Sequence, residues 1–194
     1  MTSERVVDGL AAVTDHRAVA ASIDELLPIV QSLNDDICAA FASGRRLYAF
    51  GNGGSAADAQ HLAGELIGRY RLDRRPLPAI ALSTDPSVMT CIANDYAYDD
   101  VFARQVEALA APGDFVVAFS TSGRSANVVA GLSAARARGA TTVLFTGADS
   151  GPAGEHADVV LCVPSTTTAR IQEMHVLLLH ILSEGIDSWA AAEG

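Results

Sequence analysis

Two hydrophobic rhythms alternate along the chain. Five short apolar runs, Leu47–Phe50, Pro78–Leu82, Phe115–Phe119, Thr141–Phe145 and Val159–Val163, have the length and composition of strands buried on both faces of a parallel sheet. Between and around them, apolar residues recur at helical spacing, most clearly over 126–138 and 169–190, with shorter helical stretches at 85–92 and 100–111. An earlier stretch, His16 to Ala42, carries Val19, Ile23, Leu26, Leu27, Val30, Leu33, Ile37 and Phe41 at the same spacing, with Pro28 expected to kink or split it. Strand–helix alternation predicts an α/β domain with a mainly parallel sheet covered on both faces by helices. The helical segment over residues 1–44 precedes the first strand, and its apolar stripe must cover its own sheet, an oligomer interface, or both.

In such sheets ligands bind beyond the carboxyl ends of the strands, and two loops fall there. The first follows Phe50 as Gly51-Asn52-Gly53-Gly54-Ser55 and opens an Ala-rich helix, with Ser55 expected as its N-cap. Glycine lets the backbone approach a ligand, and converging N–H groups with the helix dipole favour an anion. The second loop, Ser120-Thr121-Ser122-Gly123-Arg124-Ser125, puts four hydroxyls between a buried strand and a helix start, more than a cap requires and suited to a monophosphate. Gly51, Gly53 and Ala56 also fit a dinucleotide fingerprint, but the second strand lacks the acid that motif wants at its end, Asp85 coming late.

One turn and a half into the first helix, His61 and Glu65 share a face. The last helix offers Gln172, Glu173, His175 and His180. Gln172 and His180 lie roughly 80° apart around the axis, so both can face one cleft, with His175 as the competing imidazole. His16 and His156 fall in weakly patterned or loop surroundings and are expected to be exposed.

Composition narrows the classes. A chain of 194 residues defaults to one domain with a full core. A net charge of −10 opposes a nucleic-acid surface. All 13 basic residues are arginine, which removes Schiff-base chemistry and a Walker-type lysine. Cys38, Cys91 and Cys162 have no CxxC spacing and are expected as small buried hydrophobes in a reducing compartment. No apolar run approaches the ~20 residues of a membrane span, and Met1–Arg5 do not open a signal peptide, so a cytoplasmic location is expected.

Taken together, Gly51–Ser55, His61 with Glu65, Arg69-Tyr70, Asn94-Asp95, Ser120–Gly123, and Arg170–Glu173 with His180 resemble the phosphoheptose isomerase branch of the sugar-isomerase (SIS) domain family, from about residue 45 to the C-terminus. The resemblance implies a three-layer, flavodoxin-like α/β sandwich with a five-stranded parallel sheet over residues 45–194. It implies a homotetramer with active sites at subunit interfaces, acting on sedoheptulose 7-phosphate. Phosphate would bind at Ser120, Thr121, Ser122 and Ser125. Asn52, Gly53, Gly54, Ser55, Arg69, Asn94, Asp95 and Gln172 would line the rest of the substrate site. Zinc would sit on His61, Glu65, Gln172 and His180, with Glu65 the catalytic base and His180 the partner acid. Arg124, Ala169, Ala56 and Ala57 depart from residues common in that branch and bear on substrate detail. SIS proteins that act by binding a partner, such as DiaA-like initiator-associating proteins, share both loops and are the rival class. There the last-helix histidine is commonly lost; this chain keeps His180 and Glu65. A sugar-phosphate-sensing regulator would need a DNA-binding domain, for which residues 1–44 are too short and acidic.

Overall fold

A computed structural model describes residues 8–192, so Met1–Arg5 lie outside the described residues. The five apolar runs form one parallel sheet: β1 (Leu47–Gly51), β2 (Ala79–Ala81), β3 (Phe115–Ser120), β4 (Thr141–Thr146) and β5 (Val159–Cys162). Their spatial order is β2-β1-β3-β4-β5. The chain winds outward from β1 to β2, then returns to β3 and winds the other way. The reversal leaves a crevice between the carboxyl ends of β1 and β3, the switch point where open α/β sheets take ligands. Gly51 pairs in register with Phe119, so the glycine loop and the hydroxyl loop leave the sheet side by side.

Period-2 alternation along the strands splits the core in two. Leu47, Ala49, Phe115, Val117, Phe119, Val143 and Phe145 face the layer made by α2 (Leu27–Ala42), α3 (Gly54–Ile67) and α8 (Thr168–Ala192). Tyr48, Phe50, Val116, Ala118 and Leu144 face α4 (Pro86–Asp95), α5 (Ala103–Leu109) and α6 (Ala126–Ala137). This is the three-layer sandwich expected. Between β4 and β5 the chain makes the single turn α7 (Gly151–Gly154).

The helix predicted from His16 through Ala42 is two helices, α1 (Gly9–Ala20) and α2, joined by a 3₁₀ turn at Asp24–Leu26. Pro28 does not kink a continuous helix. It sits in the first turn of α2, where a missing N–H is harmless, and the break comes earlier in the chain. Asp8 caps α1 by accepting from the N–H groups of Leu10 and Ala11, a start the weak apolar pattern there conceals. The cysteine expectation holds only for buried Cys38: Cys91 is exposed on α4 and Cys162 half-buried at the end of β5. Among the described residues no helix is long and apolar enough to cross a membrane.

Candidate active site

The hydroxyl loop closes one side of the crevice. Gly123 adopts φ +61°, and a Cβ there would fall 1.9 Å from the Ser150 carbonyl oxygen, so only glycine lets this loop pack under the start of α7. The Gly123 N–H donates to the Ser120 hydroxyl, and the Arg124 N–H to that of Ser122. Ser125 stands at the N-cap position of α6 with no side-chain cap bond, which leaves its hydroxyl for a ligand. Ser120, Thr121, Ser122 and Ser125 join Asn52, Ser55, Phe119, Thr168 and Gln172 around a cavity of about 180 Å³. The N-terminal ends of α3 and α6 both open toward it, and their dipoles favour an anion there.

On the glycine side, the α3 cap is Gly53 at φ +57°, not Ser55, which is buried inside the first turn. Asn52 is fixed by residues the motifs did not reveal. Its amide nitrogen donates to Asn127 Oδ1, while its oxygen accepts from Asn127 Nδ2 and the Tyr98 hydroxyl. Only the fold brings these three segments together. Asp85, the late dinucleotide candidate, caps α4 through the N–H groups of Ser87 and Val88. Asn94 and Asp95 stand exposed in the last turn of α4, with Asn94 donating to Asp95 at 2.7 Å. Arg69 is exposed just beyond α3 and reaches the Arg71 carbonyl at 3.5 Å. Arg124 turns outward to an exposed ion pair with Asp149, whose acidity is raised by the Gly151 N–H and by Arg124 itself.

Further along α3, His61 and Glu65 meet His180 of α8. His61 Nε2 lies 3.0 Å from Glu65 Oε1 and 3.2 Å from His180 Nε2. The two imidazoles meet edge to face, and the Tyr70 ring backs His180 at 5.7 Å. Glu65 is more sheltered than His61, its side chain 17% exposed against 38%. Burial lowers the His180 pKa, as does the neighbouring His61, while Glu65 pulls it up. One His61 nitrogen with a single proton or lone pair cannot satisfy two partners at once. Nitrogen, nitrogen and carboxylate oxygen all fall within 4.8 Å of one another, a donor set matching zinc in type and spacing. The residues therefore fit a divalent ion.

Gln172 sits elsewhere on α8. A Cβ at Gly54 would lie 2.5 Å from its Nε2, so its amide packs against the start of α3, beside the hydroxyl cradle. Gly54 precedes His61 by two turns, or roughly 10 Å of helix rise. His175 is removed from the site altogether. It is fully buried between Phe119 and Phe145, bonded to the Thr146 carbonyl oxygen, and burial lowers its pKa to about 4. His16 is not simply exposed, since its Nδ1 pairs with Glu173 at 2.7 Å and ties α1 to α8; His156 is half-buried. Asp58, one turn before His61, is 6% exposed with Oδ2 unpartnered, and burial raises its pKa to about 6 against the opposing pull of His61.

A parallel sheet with a hydroxyl cradle and a carboxylate–imidazole cluster at its switch point defines the sugar-phosphate class of α/β domains. Residues 15–147 match the SIS domain. A phosphoheptose isomerase of Roseiflexus sp. (strain RS-1) is 48% identical over 182 residues, covering 94% of this chain and 91% of its own. One from Bordetella avium is 54% identical over 154 residues, 77% of this chain and 78% of its own. The solved phosphoheptose isomerase of Neisseria gonorrhoeae superposes with a TM-score of 0.87 at 39% identity, over 92% of this chain and 96% of that one. The chain belongs to the SIS-domain family, in its phosphoheptose isomerase branch.

Proposed function

We propose that the chain is an aldose–ketose isomerase converting D-sedoheptulose 7-phosphate to a D-glycero-heptose 7-phosphate by proton transfer through an enediol, the first step toward nucleotide-activated heptose. The observation that carries this is the placement of a phosphate-type cradle and a carboxylate–imidazole cluster along one helix. Six carbon–carbon bonds of ~1.5 Å in an extended zigzag span roughly 8 Å. That is comparable to the two turns of α3 separating Gly54 from His61. A phosphate at C7 held by Ser120, Thr121, Ser122 and Ser125 would bring C1 and C2 to Glu65 and His180. Asn52, its orientation fixed by Asn127 and Tyr98, and Gln172 would contact the sugar between them, with Gly53, Gly54 and Ser55 supplying backbone. Arg69, Asn94 and Asp95 would enter from the rim.

Glu65 takes the proton from C1 and returns it at C2, while His180 moves the proton between O1 and O2. A lowered His180 pKa keeps the imidazole neutral near pH 7, able to accept as well as donate. Zinc, were it held by His61, Glu65 and His180, would supply Lewis acidity at the carbonyl oxygen, and ligation would compete with the proton-transfer roles of Glu65 and His180. Gln172 could join as a fourth ligand only by turning its amide away from Gly54. The exposed rims of the cluster and the exposed Leu10, Ile67, Leu72, Ile80 and Leu177 support a homotetramer with sites completed between subunits, the segment 1–44 serving that assembly. A cytoplasmic location follows from a phosphorylated sugar substrate. Convergence of His61, Glu65 and His180 favours the enzyme over a DiaA-like binding module.

The test is proton exchange by NMR, with sedoheptulose 7-phosphate in deuterated water, with and without zinc. A new aldose anomeric signal with deuterium at C2 supports the isomerase. Thermal stabilisation by the sugar without turnover in either condition sinks it and points to a binding module.

A further inference from the structure

Between the end of α3 and the far half of α8 lies a buried ion pair that the isomerase reading leaves unused. The Arg74 side chain is 1% exposed and that of Asp187 2%. Arg74 Nη2 donates to the Glu65 carbonyl at 2.7 Å, and Nη1 to those of Leu66 at 2.8 Å and Arg75 at 2.9 Å, with Gly68 further off at 3.4 Å. The Glu65 and Leu66 carbonyls fall in the last turn of α3, where a helix runs out of its own N–H partners, and a cation complements the dipole there. Nε donates to Asp187 Oδ1 at 2.9 Å. Asp187 also accepts from the N–H groups of Tyr70 at 3.4 Å, Arg71 at 3.0 Å and Leu72 at 2.7 Å, which winds the loop beyond α3 around its carboxylate.

Each partner is tied to one half of the reacting pair. Arg74 bonds the backbone of Glu65 itself. Asp187 follows His180 by seven residues, two turns along the same face of α8. The loop that Asp187 organises carries Tyr70, whose ring backs His180. We propose that Arg74 and Asp187 are positioning residues for the isomerisation, setting the distance between Glu65 and His180 by locking the end of α3 and the Tyr70 loop to α8. The proposal rests on the isomerase reading for its catalytic consequence. Lysine cannot replace Arg74, because one ammonium cannot reach the α3 carbonyls and Asp187 with the geometry of a planar fork.

The experiment compares Arg74→Lys and the isosteric Asp187→Asn with wild type and with Leu132→Ala, a core truncation on the opposite face of the sheet. Both clamp variants should lose roughly 10- to 100-fold in kcat, the scale of an ångström-sized misplacement. KM should change less than about threefold, because the cradle stands two turns away. Leu132→Ala, assayed well below its melting temperature, should keep kcat. In parallel, the ring-nitrogen resonances of His180 should shift in Asp187→Asn and stay put in Leu132→Ala. If Arg74→Lys fails to fold, Asp187→Asn alone carries both readouts. Clamp variants that keep kcat, or lose no more than Leu132→Ala, overturn the proposal, as do unmoved His180 resonances. A wild-type protein without turnover would unseat the isomerase reading instead, and the resonances would still decide whether the pair fixes His180.

Discussion

At His61 a single ring nitrogen faces both a carboxylate and a second imidazole, so the three side chains share fewer protons than they have places for. Such a cluster is suited to exchanging protons or taking up a cation, and within it Glu65 is more sheltered than His61. Glu65→Gln keeps the size and the hydrogen bonding but cannot take a proton. Turnover should fall by at least roughly 100-fold, within the range of general-base contributions, while sugar-phosphate binding by calorimetry stays within a fewfold. Full activity in that variant would remove Glu65 as the base. The meeting of His61, Glu65 and His180 was legible because helical spacing puts candidates on shared faces before any fold is known, whereas Gln172 packs apart from them against Gly54. Spacing alone left His175 open, and only burial of that side chain against Phe119 and Phe145 removes it. Asp58 escaped notice because a carboxylate in an Ala-rich helix looks like solvent-facing surface until its burial is seen.

The two loops belong to the scale of elements, where a strand delivers a turn and a helix receives it. Their position was readable because clusters of glycine and hydroxyl residues directly follow two apolar strands, as was the switch point that joins them. What holds them was not. Tyr98 and Asn127 reach Asn52 across 46 and 75 residues of chain, and the Arg74–Asp187 pair spans 113, separations that no local pattern encodes. The split between α1 and α2 was announced by Pro28, but a proline marks a boundary without saying on which side the helix continues, so its exact place was not legible. Two predictions sit at this scale. Replacing Ser120 and Ser125 together by alanine should raise KM roughly 100-fold or more with a smaller change in kcat, two lost hydrogen bonds to a charged group being worth some 3 kcal/mol or more. An unchanged KM would count against the cradle. Gly123→Ala should destabilise the fold by about 2–4 kcal/mol in urea titrations, because a Cβ at positive φ meets the Ser150 backbone. A loss below ~1 kcal/mol would mean that the loop yields easily.

Over the whole molecule, two buried groups pull the pH dependence of stability in opposite directions. His175 has a folded pKa of about 4 against 6.5 for a free imidazole, so between those values the unfolded chain binds a proton the native one refuses. Stability from this residue is complete above pH 6.5 and falls as the pH drops toward 4, by about 3 kcal/mol. Asp58 runs the other way. With a folded pKa of about 6 against 3.8 for a free carboxyl, the native state holds the extra proton, and stability falls as pH rises from 4 to 6. That loss is about 1–2 kcal/mol once discounted for water and for the His61 charge. Asp187, held below the usual range because its three N–H donors and Arg74 outweigh its burial, matters only under pH 4, where its contribution disappears as the carboxylate is protonated. The wild-type stability curve between pH 4.5 and 6.5 should therefore rise only gently, the two slopes partly cancelling. Separating them requires variants, measured with chelator present so that no ion at His61 changes the field on Asp58. His175→Leu should leave a curve that falls as pH rises, and Asp58→Asn one that rises more steeply than wild type over the same window. If the two variants tilt the same way in urea titrations, one of these groups is not titrating as its burial dictates. Asp58 would be the one to doubt, because its unpartnered oxygen lies one turn from an imidazole cluster able to charge beside it.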